Sequence, residues 1–216
     1  MNALERLGQV GVVPVVKIDQ AGQAIGLAEA LIKGGLPCAE ITFRTEAAAE
    51  AIRLISTSQP EMMVGAGTIL SLAQARDAVN AGASFIVSPG FNPAIVASCL
   101  EMDVPVVPGI ATPTEAMMAL DKGLKVLKFF PSESLGGIPM LEAISAALIG
   151  VKFIPTGGIS PANMLDYLKL PMVHAVAGSW LATSKMISSG SFSEITRLAA
   201  EAVATVQRAR MIRTAQ

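Results

Sequence analysis

"VPVVPGIATPTEAMMALDKGLKVLKFF", Val104 to Phe130, sets two short apolar runs on either side of one helix-forming stretch. The first run, rich in valine, reads as a strand. Thr112-Pro113-Thr114-Glu115 follows with an N-cap hydroxyl, a proline at the first helical position and an acid three residues after the cap. Gly123 is placed to end the helix as a left-handed cap, and "LKVLKFF" opens a second strand. Two strands joined through a helix run parallel, so the stretch is one βαβ unit.

The unit recurs in both directions. "GVVPVVKI", "PCAEITF", "MMVGAG" and "SFIVSP" precede it, and "KFIPTGG" and "VHAVAG" follow, giving eight candidate strands. Ala- and Leu-rich stretches such as "QAIGLAEALIKGG", "EAAAEAIRLIST" and "LAQARDAVNAG" lie between them. Asn92-Pro93 and Ser160-Pro161 repeat the cap-plus-proline signal for a helix start, and Gly34 and Gly82 stand where Gly123 does, just past a helical run. Near-continuous apolar strands belong in a parallel sheet covered by helices. Eight βα units predict an α/β fold, a (β/α)8 TIM barrel with parallel strands. It is expected to form a single domain over residues 1–216, with a short N-terminal helix before strand one. An open doubly wound sheet is the alternative.

Composition narrows the partners. The chain is 52% hydrophobic and 15% charged with a net charge of -1, which argues against a general attraction to nucleic acid or to an anionic membrane. A mean hydropathy of +0.55 raises the question of a membrane span. The uncharged stretch from Ala78 to Leu100 is broken by Pro89, Gly90, Asn92 and Pro93, so none is expected. Two cysteines, Cys38 and Cys99, make neither a disulfide framework nor a zinc cluster and fit a reducing, cytoplasmic setting.

Barrel chemistry sits at the C-terminal ends of the strands. The polar groups there are Lys17, the alternating set Glu40, Thr42 and Arg44, then Thr68, Ser88, Lys128, Thr156-Gly157-Gly158 and Gly178-Ser179. Lys128 shares a strand face with Val126, inside an apolar run. A lysine there is snorkelling, ion-paired, or lowered in pKa for chemistry. Glu40 faces the same problem, and the two could answer each other, either as a buried ion pair without chemistry or as an amine nucleophile beside a carboxylate acid/base. The two glycines of "PTGGIS", ahead of the expected helix start at Ser160-Pro161 with its dipole, and the one glycine of "AGSW" suit close backbone approach to an anion, here a phosphorylated ligand. The one histidine, His174, lies at the beginning of strand eight, at the opposite end, and reads as structural, so neither a Ser-His-Asp arrangement nor a histidine-rich metal site is available. No cofactor and no metal are expected. The remaining set suits carbonyl chemistry through an imine on Lys128.

The segments "EITFRTEAAAEAI", "VGAGTIL", "FIVSPGFNP", "VPGIATPTEAMMAL", "KFFPSE", "PTGGISPANMLDYL" and "GSW", in this order, resemble the 2-keto-3-deoxy-6-phosphogluconate (KDPG)/2-keto-4-hydroxyglutarate (KHG) aldolase family over essentially the whole chain. The resemblance implies a class I aldolase, a homotrimeric barrel cleaving KDPG reversibly to pyruvate and glyceraldehyde 3-phosphate, and possible action on 4-hydroxy-2-oxoglutarate. It implies Lys128 as the Schiff-base lysine and Glu40 as the acid/base. Arg44 would bind the pyruvate carboxylate with help from Thr68, and Thr156 would meet a substrate hydroxyl. Gly157, Gly158 and Ser179 would line the phosphate end, with Phe130 or Phe129 as an apolar wall. Relatives often carry arginine where Lys17 stands, so Lys17 is an anion contact or a solvated lysine. The alternatives are a galactonate-type aldolase, a sugar-phosphate epimerase or decarboxylase using Lys128 as a plain cation, and a non-catalytic phosphosugar-binding protein.

Overall fold

The structure, a computed structural model, describes residues 2–214. Its strands are β1 (Val12–Val16), β2 (Cys38–Thr42), β3 (Met63–Gly67), β4 (Ile86–Val87), β5 (Val106–Val107, continued as Gly109–Ile110), β6 (Val126–Phe129), β7 (Lys152–Pro155) and β8 (Val176–Gly178). The eight candidate strands of the sequence all appear. Strand β5 is split at Pro108, which has no N–H to give to a ladder. One sheet runs β5-β4-β3-β2-β1-β8, and the second half of β5 continues through β6 to β7. Parallel bridges Phe153 to Val173 and Thr156 to Ala177 join β7 to the strand eight segment and close the ring. All pairings are parallel, as a βα repeat requires.

Helices α1 (Ala3–Val10), α2 (Ala24–Lys33), α3 (Ala47–Ser58), α4 (Leu72–Asn80), α5 (Pro93–Glu101), α6 (Pro113–Leu120), α7 (Gly137–Ala146), α8 (Met164–Lys169), α9 (Ser184–Ser188) and α10 (Phe192–Thr214) accompany the strands. Thr112 and Glu115 close the expected capping box of α6, and the Asn92 side chain caps α5 ahead of Pro93. Two local expectations are corrected. Gly34 has φ -78, and the left-handed residue after α2 is Gly35 at φ +76. Ser160-Pro161 does not start a helix. The Asn163 side chain accepts from the Ser160 N–H at 2.8 Å and donates to Gly158 O at 3.0 Å, a side-chain turn that delays α8 to Met164. The expected helix dipole behind Gly157-Gly158 is therefore missing.

Strand alternation divides the core in two. Ile41, Leu127, Phe129 and Phe153 face outward into the sheet-helix layer. Val13, Met63, Phe85, Val107 and Ile154 fill the barrel interior, and Leu7 of α1 joins them. His174 anchors α1 there: its Nε2 meets the Leu4 carbonyl at 2.7 Å, and its ring lies against Gly8. Cys38 is inside this dry interior, where burial pushes its thiol far up, and burial pushes Cys99 up to about 11. Both thiols stay protonated and serve as small hydrophobes.

Candidate active site

The inward face of β2 carries Cys38, Glu40 and Thr42, and the inward face of β6 carries Val126 and Lys128. Strands β2 and β6 stand on opposite walls of the ring, so Glu40 and Lys128 meet across its interior. Lys128 Nζ lies 3.6 Å from Glu40 Oε1, and the residues are 5% and 2% exposed. Their attraction is roughly 4 to 5 kcal/mol at an effective dielectric near 20. Burying each ion costs several kcal/mol, so the pair does not gain enough to explain itself as a stabilising element. Nor is the pair saturated: Glu40 Oε1 is buried with no hydrogen-bond partner among the described residues. An acceptor left open opposite an amine suits a transferable proton better than a structural strut.

Glycine makes the room. In the β2-β3 register Glu40 faces Gly65 and Thr42 faces Gly67. A Cβ on Gly67 would overlap the Glu40 carboxylate, and one on Gly65 would enter the Phe85 ring. The sequence showed these glycines in "GAG" only as a possible strand end. Their spacing of two, which puts both on one strand face, is the signal that could have identified their role.

Below and around the amine the walls are apolar. A nearly filled interior space is lined by Glu40, Lys128, Thr156, Leu7, Phe85 and Val107. Phe130 covers the amine from the exit of β6, its ring centroid 5.1 Å from Nζ. Phe129 points the other way into the outer core, which decides between the two candidate aromatic walls.

Above this floor opens a cavity of about 330 Å³, to which Lys17, Arg44, Phe130, Thr156, Gly157, Gly158 and Ser179 all contribute. Thr156 lines both spaces and links floor to mouth. Thr42, with its hydroxyl on Val16 O at 2.9 Å, together with Thr183 and Ser184, completes the mouth; Thr183 and Ser184 were not singled out from the sequence. Thr68 is outside this lining and reaches it through Arg44, whose Nε lies 3.5 Å from Thr68 Oγ1. Thr68 holds φ +58, a costly conformation for a β-branched residue and one typical of functional sites. Lys17 is paired with Asp19 at 2.6 Å, both about half exposed. Gly157 and Gly158, at φ +96 and +83, expose their turn to the mouth. No cluster of three metal-ligating side chains occurs among the described residues, and none of their helices is long and apolar enough to cross a membrane.

A family model described as "KDPG and KHG aldolase" matches residues 4–198. A 2-dehydro-3-deoxy-phosphogluconate aldolase of Treponema pallidum is 46% identical over 95% of this chain and 98% of the relative. A KHG/KDPG aldolase of Escherichia coli is 45% identical over 89% of this chain and 90% of its own. Among solved structures, the KDPG aldolase of Legionella pneumophila, with pyruvate captured as a covalent carbinolamine intermediate, superposes with a TM-score of 0.89. It is 39% identical and covers 92% of this chain and 97% of that one.

Proposed function

The chain belongs to the KDPG and KHG aldolase family, and from that premise we propose that Lys128 and Glu40 are the reacting pair of its active site. It is a class I lyase that cleaves KDPG to pyruvate and glyceraldehyde 3-phosphate. The observation that carries the residue assignment is the buried amine and carboxylate 3.6 Å apart, with an acceptor atom left open.

Lys128 passes its ammonium proton to water, the freed amine adds to the C2 ketone, and the carbinolamine hydroxyl takes a proton back and leaves as water, which gives the protonated imine. The Glu40 carboxylate, through a bridging water, takes the C4 hydroxyl proton. The C3-C4 bonding electrons move into the imine as the aldehyde leaves. The resulting enamine takes a proton back at C3 from the same carboxylic acid, and hydrolysis returns pyruvate and the free lysine. The apolar surroundings of Phe130, Phe85 and Leu7 keep bulk water from the amine. Arg44 holds the keto acid's carboxylate beside Thr68, and Thr156 meets a substrate hydroxyl. Gly157, Gly158 and Ser179 take the phosphate through backbone N–H groups and a hydroxyl. Lys17 stands at the rim paired with Asp19 and is given no contact with the substrate. The name of the Escherichia coli relative, KHG/KDPG aldolase, supports 4-hydroxy-2-oxoglutarate as a second substrate of the proposed site.

The test is borohydride reduction in the presence of pyruvate, followed by peptide mass spectrometry. A reduced pyruvyl adduct on the peptide containing Lys128 is expected; an adduct on another lysine, or none, overturns the assignment. Gly67→Ala provides a second check, since its Cβ would displace the Glu40 carboxylate. A displacement near 1 Å is expected to cost turnover about 10²-fold, and the overpacking to lower stability by about 1–3 kcal/mol. Steady-state kinetics and denaturant unfolding read both effects.

The chain is proposed to work as one barrel domain and as a homotrimer in the cytoplasm. Apolar side chains left exposed on α5 and α6, Leu100, Met117 and Met118, support a covered face. The free, buried Cys38 and Cys99 suit a reducing compartment.

A further inference from the structure

Glu133 ends the "KFFPSE" stretch and takes no part in the chemistry above. Its backbone N–H donates to Gly157 O at 3.1 Å, and that of Ser132 donates to Thr156 O at 2.8 Å. Its side chain lies so close to Gly158 that a Cβ there would overlap it. Its carboxylate accepts a short hydrogen bond from the Tyr167 hydroxyl of α8, and Ser132 Oγ lies 2.9 Å from the same phenol oxygen. Ser132 and Tyr167 are fully buried, while Glu133 is otherwise exposed. Gly137, at φ +61, leaves room for both groups: a Cβ there would stand 3.0 Å from Glu133 Oε1 and 3.2 Å from the Tyr167 hydroxyl.

Three segments are joined by this cluster: the exit of β6 that carries Lys128 and Phe130, the turn after β7, and α8. The turn has no side chains of its own at Gly157 and Gly158, so neighbouring groups must set the direction of its N–H groups. Burial, and then the bond to Glu133, push the Tyr167 hydroxyl up to about 12. It therefore keeps its proton and acts as the donor to Glu133, which leaves Ser132 to donate to the phenol oxygen.

We propose that Glu133 and Tyr167 are positioning residues that hold the Gly157-Gly158 turn in register with Lys128, so that the phosphate and the ketone of one substrate fit the site together. The inference rests on reading that turn as the phosphate end of the site. A group that fixes only the phosphate end affects phosphorylated substrate alone, whereas a general structural prop affects every substrate alike.

The experiment compares KDPG with 2-keto-3-deoxygluconate, the same keto acid without phosphate, in the wild type and in Tyr167→Phe, Glu133→Ala and Glu133→Gln. In Tyr167→Phe and Glu133→Ala the KM for KDPG is expected to rise about tenfold with kcat within about twofold, and kcat/KM for the unphosphorylated acid to stay within about twofold. Glu133→Gln keeps an acceptor for the phenol and is expected to retain most of the wild-type KM. Because Glu133 is exposed, its truncation tests the idea even where Tyr167→Phe does not fold. Equal losses on both substrates, or no loss on either, overturn the positioning role. A wild type that does not prefer KDPG removes the phosphate reading itself, a result visible before any variant is made.

Discussion

Lys128→Ala is expected to lower kcat/KM for KDPG by at least about 10⁴-fold, since removing a covalent nucleophile leaves only binding and electrostatic groups to act. Pyruvate release, followed with lactate dehydrogenase and NADH, reads the loss. The variant also strands the Glu40 carboxylate at 2% exposure. Removing one partner of a buried ion pair costs roughly 3–5 kcal/mol, so part of any inactivity could come from unfolding. The double variant Lys128→Ala/Glu40→Gln removes that stranded charge. Its stability is expected to return toward the wild type while turnover stays lost. A folded Lys128→Ala protein that still cleaves KDPG would falsify the Schiff-base assignment.

Glu40→Gln separates imine formation from carbon-carbon cleavage. The amide fits the space that Gly67 leaves and keeps an oxygen toward Lys128, but it cannot carry the proton of the C4 hydroxyl. Loss of a positioned general acid/base is worth about 10²–10⁴ in rate, and kcat is expected to fall by that amount. Borohydride trapping with pyruvate should still label Lys128, because that reaction needs the amine and the ketone but no C3-C4 cleavage. If trapping vanished together with turnover in a folded Glu40→Gln protein, the carboxylate would be required to form the imine rather than to break the bond.

Lys128 was a conspicuous residue in the sequence because an ammonium inside an apolar strand has few stable explanations. Its partner was conspicuous for the same reason, and alternation put each on the inward face of its strand. What alternation could not give was their facing one another, which depends on the closed ring that sets β2 opposite β6. The mouth residues show the same division. Arg44, Thr156, Gly157, Gly158 and Ser179 were legible as strand-end polar groups and do converge on one cavity. Thr68 was legible too but lies outside the lining and meets it only through Arg44. Ser160-Pro161 carried a sound local signal for a helix start that was overruled by one asparagine side chain three residues later. Tyr167 gave no signal at all, since a tyrosine among leucines on a short helix reads as core until the chain brings Glu133 to its hydroxyl.

The sequence by itself determined the repeating βα pattern, the helix caps at Asn92 and Thr112, and the strand face on which Glu40 and Lys128 lie. Those properties follow from backbone sterics and side-chain periodicity over a few residues. Only the tertiary structure decided that Glu40 and Lys128 meet at 3.6 Å, that Gly65 and Gly67 clear the space for it, and that Glu133 and Tyr167 brace the turn after β7. These contacts join segments far apart in the chain. Their geometry is set by strand register and barrel closure, which no local run of residues encodes.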